Sequence, residues 1–154
     1  MKRFNAAALR RGRISEPGRA YLVTTVTDHR PPVFGDYEAG RRLVRILRCS
    51  DVRGASKTLA YVVMPDHFHW LFILGARQTL PGVVGTVKSM SARAMGLSRL
   101  WQPGFHDRAM RDGEDLRAIS RYVVANPLRA GLVHNIGEYP LWDAAWISGN
   151  DPGV

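Results

Sequence analysis

Leu59-Ala-Tyr-Val-Val-Met64, a Pro65-Asp66 break, then His67-Phe-His-Trp-Leu-Phe-Ile-Leu74: this stretch decides the fold. Two short apolar runs, rich in aromatic and β-branched residues and split by a proline, predict strands over 59–64 and 67–74. Side chains alternate across a strand. In the second run His67 and His69 therefore share one face, while Phe68, Trp70 and Phe72 share the other, the core side.

Working outward, residues 20–27 (Ala-Tyr-Leu-Val-Thr-Thr-Val-Thr) predict another strand, ended before Pro31-Pro32. Between Asp36, a candidate N-cap, and Arg53, Leu43, Val44, Ile46 and Leu47 recur at helical spacing. From Leu80 onward Val83, Val84, Val87, Met90, Ala94 and Leu97 mark one face of a second helix. Gln102-Pro103-Gly104 predicts a loop and 105–110 a fourth strand. Residues 112–126 predict a last helix with acids in its first turn, stopped by Pro127. The order β-α-β-β-α-β plus one helix predicts an α+β fold: a ferredoxin-like split βαβ antiparallel sheet with helices on one face, plus a C-terminal helix that bears Tyr122. Residues 1–19 are expected to form a basic N-terminal arm, 20–147 one domain and 148–154 a tail. That fold hosts many activities and selects none.

Charge narrows the choice. The 154 residues carry 22 Lys and Arg against 13 Asp and Glu, a net +9, with a pI near 10.6. Only Lys2, Lys57 and Lys88 are lysines, so the excess is arginine, whose planar fork matches phosphate. A nucleic-acid partner is the first expectation, a basic surface kept for solubility the second. The single Cys49 allows no internal disulfide and no Cys-x-x-Cys zinc site. No apolar run approaches the ~20 residues of a membrane span, and no apolar stretch follows the basic N-terminus as in a secretory leader. A cytoplasmic protein with no membrane partner is expected.

Two constellations carry chemistry. His67 and His69 present neighbouring imidazoles on one strand face, a ready pair of metal ligands or, equally, two structural histidines. Tyr122 and Asn126, four apart, share one face of the last helix; each also has an ordinary role, in packing or in ending the helix. Taken together they suggest more. A divalent ion held by two imidazoles and an amide oxygen can polarise a phosphate, and a phenol beside it can attack phosphorus.

Met64-Pro65-Asp66-His67-Phe68-His69-Trp70 resembles the His-hydrophobe-His signature of single-tyrosine, single-strand transposases. Arg121-Tyr122-Val-Val-Ala-Asn126-Pro127-Leu-Arg129-Ala-Gly-Leu-Val133 resembles the tyrosine helix of their REP-associated branch. Trp101-Gln-Pro-Gly-Phe-His-Asp107, the first strand from Gly18 to Thr27, Val87-Lys88-Ser89 and Tyr139-Pro-Leu-Trp-Asp-Ala144 match in the same order, so the likeness spans nearly the whole chain. The resemblance implies His67, His69 and Asn126 as ligands of Mg or Mn, with Asn126 where insertion-sequence relatives carry Gln. It implies Tyr122 as the nucleophile of a covalent 5′-phosphotyrosine. It also implies single-stranded DNA with an imperfect REP hairpin as substrate, and a monomer or homodimer. Asp66 stands where relatives often carry Asn, with no role assigned. Candidate DNA contacts are Arg10, Arg11, Arg13, Lys88, Arg93, Arg108, Arg111 and Arg129, and His106, which is also a candidate third histidine near the metal. Two alternatives stand beside this reading. One is a non-catalytic hairpin-binding regulator derived from such a transposase; the other is a replication-initiator or relaxase nuclease, which commonly needs further domains.

Overall fold

The computed structural model describes residues 15–146; Arg10, Arg11 and Arg13 lie outside them. Five strands form one antiparallel sheet in the order β4-β1-β3-β2-β5. They are β1 (Ala20–Val26), β2 (Ser56–Met64), β3 (His67–Leu74), β4 (His106–Ala109) and β5 (Trp142–Ala144). Helix α1 (Tyr37–Val52) links β1 to β2 and α2 (Leu80–Ala94) links β3 to β4. Each crossover skips one strand, which is the split βαβ arrangement the element order predicts.

The alternation in β3 sorts two cores. Phe68, Trp70, Phe72 and Leu74 join Tyr21, Val23, Tyr61 and Val63 beneath the apolar faces of α1 and α2. On the opposite face Leu71, Val62, Met64 and Ala20 pack against Val123 and Val124 of α3 (Leu116–Val124). The tyrosine helix thus covers the sheet face that the other two helices leave open, and that is the face of His67 and His69. A β-bulge between Thr58 and Ala60 keeps β2 in step, because Leu59 and Ala60 both join the α3-side core. Trp70 donates its indole N–H to Thr58 at 2.9 Å, so the largest fully buried ring leaves no polar atom unpaired.

Three boundaries differ from expectation. The last helix begins at Leu116, capped by Asp115, whose side chain accepts from the Ala118 N–H. Upstream, Gly113 takes φ 81° and Glu114 accepts from the Arg111 N–H. Acids expected in the first helical turn thus form a turn before it. Pro127 does not end the helix, whose last residue is Val124, two residues before the expected Asn126, with Ala125 as its cap. Pro127 then sits at the start of a further single turn, α4 (Asn126–Arg129), where its missing N–H costs nothing. Strand β5 went unseen because three residues at a sheet edge carry too short a pattern.

Gly75, just after β3, fits only a residue without Cβ: an added Cβ would stand 2.0 Å from the Gly54 carbonyl oxygen. Both sides of that contact are backbone, so neither yields by a rotamer change. Gly75→Ala is expected to destabilise the protein by about 2 kcal/mol or more, read as a lower urea midpoint at unchanged slope. An unchanged midpoint would contradict this packing.

Candidate active site on the open sheet face

Register builds the site. His69 of β3 pairs with Thr24 of β1, and Thr24 pairs in turn with His106 of β4. The imidazoles of His67 and His69 stand edge to face, with centroids 4.9 Å apart at 82°. Each has its Nδ1 engaged: His67 with Asp66 Oδ1 at 2.7 Å and His69 with Thr24 Oγ1 at 2.7 Å. Both Nε2 atoms remain for a ligand, and outer hydrogen bonds of this kind orient metal-binding histidines. Asp66 is held in turn by Arg30, whose Nε lies 2.9 Å from Oδ2. Burial works against ionising this carboxyl, but hydrogen bonds from His67 and Arg30 outweigh it and hold Asp66 below the usual carboxylate range.

His69 is depressed to about 4, first by burial, then by the proximity of His67 and Arg129. It is therefore a neutral imidazole, a competent ligand, throughout the physiological range. The sign of the linked stability follows. Below pH ~6.5 the unfolded chain protonates this histidine while the folded chain refuses the proton until about pH 4. Stability that is complete above pH 6.5 is thus lost on acidification to pH 4, by up to ~3 kcal/mol from this group. Urea melts at pH 7.5, 5.5 and 4 should show that decline in the metal-free protein and a weaker one in His69→Gln. Parallel declines would assign the effect elsewhere.

Arg129 ties the tyrosine helix to the histidines. Its guanidinium lies 3.8 Å from the centroid of the Tyr122 ring, and its charge reaches His69. Tyr122 is 64% exposed, the most open of the tyrosines. The other tyrosines are poorly placed. Tyr21 and Tyr61 are buried in the core beneath α1 and α2, Tyr37 begins α1 on that same side, and Tyr139 donates its hydroxyl to the Val63 carbonyl. Asn126 donates Nδ2 to the Val123 carbonyl at 2.7 Å. That fixes the carboxamide and leaves Oδ1 as its available atom.

Two imidazoles and an amide oxygen suit a divalent ion that keeps open positions for water and phosphate oxygens. Among the described residues no third His, Cys, Asp or Glu joins such a group. His106 shares the face but stands two strands from His69, roughly 10 Å away along the sheet, and joins no such group among the described residues.

The basic candidates divide. Arg129 belongs to the site. Arg108 on β4 bonds Glu114 at 2.6 Å, and Arg111 adjoins that pair through its backbone. Lys88 donates to the carbonyls of Gln102 and Gly104, both at 2.8 Å, and so braces the loop before β4. Arg93 ends α2 on the far side of the sheet. Sequence reasoning assigned nothing to Asp66 and missed Arg30 and Thr24. Asp66 had its adjacency to His67 as a signal; the other two had none, because strand register and loop course bring them in.

Comparison with known proteins places this geometry. Residues 18–126 match the model of the family described as "Transposase IS200 like". The REP-associated tyrosine transposase of Escherichia coli (strain K12) is 30% identical over 82 residues, 53% of this chain and 50% of that protein. The match thus spans about half the length of that curated relative. Among solved structures, a REP-associated tyrosine transposase bound to a REP hairpin superposes with a TM-score of 0.70 at 23% identity, over 92% of this chain and 82% of that one. At that identity the likeness is one of fold. A candidate transposase from Deinococcus radiodurans R1 gives a TM-score of 0.52 at 25% identity, over 80% of this chain and 95% of that one.

Proposed function

Since the chain belongs to the IS200-like transposase family, we propose that it cleaves and rejoins single-stranded DNA beside a REP-type hairpin, with Tyr122 as nucleophile. The observation that carries this reading is the shared face. His67 and His69 have their Nε2 atoms available there, and Tyr122 and Asn126 come from the helices packed over it, with the Arg129 guanidinium against the Tyr122 ring.

His67, His69 and Asn126 would hold the divalent ion, Mg or Mn, whose Lewis acidity toward a phosphate oxygen favours attack. The protein's own groups account for the rest. The Tyr122 hydroxyl gives its proton to solvent and its oxygen bonds to phosphorus. The P–O3′ bond breaks, and the departing 3′ oxygen takes up a proton. The 5′-phosphotyrosine keeps the energy of the diester, so a 3′-hydroxyl can later attack it, restoring Tyr122 and sealing a strand without a nucleotide cofactor. Arg129, over the phenol ring, places positive charge where the attacked phosphate gains negative charge.

Recognition should combine phosphate contacts with stacking of unpaired bases. A hairpin with an unpaired foot should bind more tightly than its matched duplex by ~1–3 kcal/mol, the worth of a stacked base. Affinity should fall with salt at a log–log slope of about 0.7 per phosphate neutralised on a single strand. Removing residues 1–13, with Lys2, Arg3, Arg10, Arg11 and Arg13, should flatten that slope. A salt titration of both DNAs with full-length and shortened protein tests this; equal affinity for hairpin and duplex would mean general attraction to nucleic acid.

A further inference from the structure

The two histidines are held differently. Thr24 faces His69 with a hydroxyl that can donate to Nδ1 or accept from it, so this contact admits either imidazole tautomer. Asp66 faces His67 with a carboxylate oxygen at 2.7 Å while its other oxygen takes the Arg30 Nε–H, and a carboxylate held in this way accepts. That contact therefore requires a proton on the Nδ1 of His67 and, in the neutral ring, leaves the lone pair on Nε2.

Asp66 is itself gripped by the loop that follows β1. Its carbonyl accepts from the Thr27 N–H at 2.9 Å and from the Thr27 hydroxyl at 3.0 Å. The neighbouring Pro65 carbonyl accepts from the Phe34 N–H at 2.9 Å. Between these anchors His29 and Arg30 take φ of 62° and 60° in succession, the left-handed region that usually falls to glycine. That backbone course accompanies the contact of Arg30 with Asp66 Oδ2 at 2.9 Å. The Arg30 side chain is 53% exposed, and an ion pair so exposed adds little to stability. Its geometric effect is different: with Oδ2 occupied by Arg30, Oδ1 is the oxygen turned to His67.

We propose that Asp66, steadied by Arg30, is a positioning residue that locks His67 in its Nδ1–H tautomer with Nε2 ready to ligate, whereas Thr24 leaves the tautomer of His69 open. The role of Nε2 as a ligand rests on the functional reading above; the tautomer lock does not. One imidazole is then preset as a ligand and the other settles its proton when an ion binds.

Ring ¹⁵N NMR of the full-length, metal-free protein reads the tautomers directly, calorimetric titration with Mn(II) reads affinity, and thermal melts check folding. In the wild type His67 should show one tautomer with the proton on Nδ1, and His69 a mixture. Asp66→Asn can still accept through Oδ1 and should keep the His67 signature and most of the affinity. Asp66→Ala should lose that signature and weaken Mn(II) binding by about 10–100-fold. Arg30→Ala should fall between them with little change in melting. A His67 ring that stays protonated at Nδ1 in Asp66→Ala would overturn the proposal, as would a His69 tautomer as fixed as that of His67. A wild type that binds no Mn(II) would sink the metal reading alone, because the ring signatures still decide whether Asp66 sets the tautomer.

Discussion

Tyr122→Phe is expected to abolish strand cleavage, by on the order of 10³-fold or more, with little effect on folding or hairpin binding. The substitution removes one oxygen from a ring that is 64% exposed, so it opens no cavity. The phenyl ring keeps its face to the Arg129 guanidinium, and Val123 and Val124 still seat the helix on the sheet. What disappears is the atom that bonds to phosphorus. Denaturing gels should show a DNA-linked protein band with the wild type and none with the variant. Residual cleavage at the wild-type rate would mean that water, not the phenol, is the nucleophile.

His67→Ala and His69→Ala should each reduce cleavage by a comparable factor, and excess EDTA should do the same to the wild type. The two variants will differ in cost to the fold. His67 stands near the rim with its side chain 19% exposed, and its removal frees Asp66, which keeps Arg30. The loss of His69 instead leaves the Thr24 hydroxyl without its partner, at about 1 kcal/mol or somewhat more. His69→Gln, which can satisfy Thr24, is therefore the better control. Hairpin affinity should stay within a few-fold of wild type in all three variants. Cleavage that persists in EDTA would remove the metal from the account.

Much of this was legible because the decisive signals are periodic. Alternation over 67–74 put the two histidines opposite Phe68, Trp70 and Phe72, and the register confirms that division. Helical spacing gave the buried face of α1 and, through Val83, Val84 and Val87, that of α2. Ala94 and Leu97, expected on the same face, are exposed, and Leu97 lies past the helix end. The reading failed where local chemistry overrides period. The Asp112–Asp115 acids make a turn and a cap instead of a first helical turn. Pro127 begins a turn instead of ending a helix, since the helix has already stopped at the Ala125 cap. The outer shell of the site was the least visible part. Thr24 meets His69 across 45 positions of sequence and Arg30 meets Asp66 across 36; both follow from strand register and loop course. The surplus of arginine pointed to nucleic acid but could not separate Arg129, at the site, from Arg108, occupied by Glu114.

The central claim is a covalent bond between Tyr122 and DNA. Its most direct test is to incubate the wild-type protein and Mn(II) with a single-stranded hairpin oligonucleotide, then digest the product and map the modified peptide by mass. A nucleotide adduct is expected on the peptide containing Tyr122, with a released strand ending in a 3′-hydroxyl, and neither product in EDTA. An adduct on Tyr21, Tyr37, Tyr61 or Tyr139, or cleavage with no adduct at all, would contradict it.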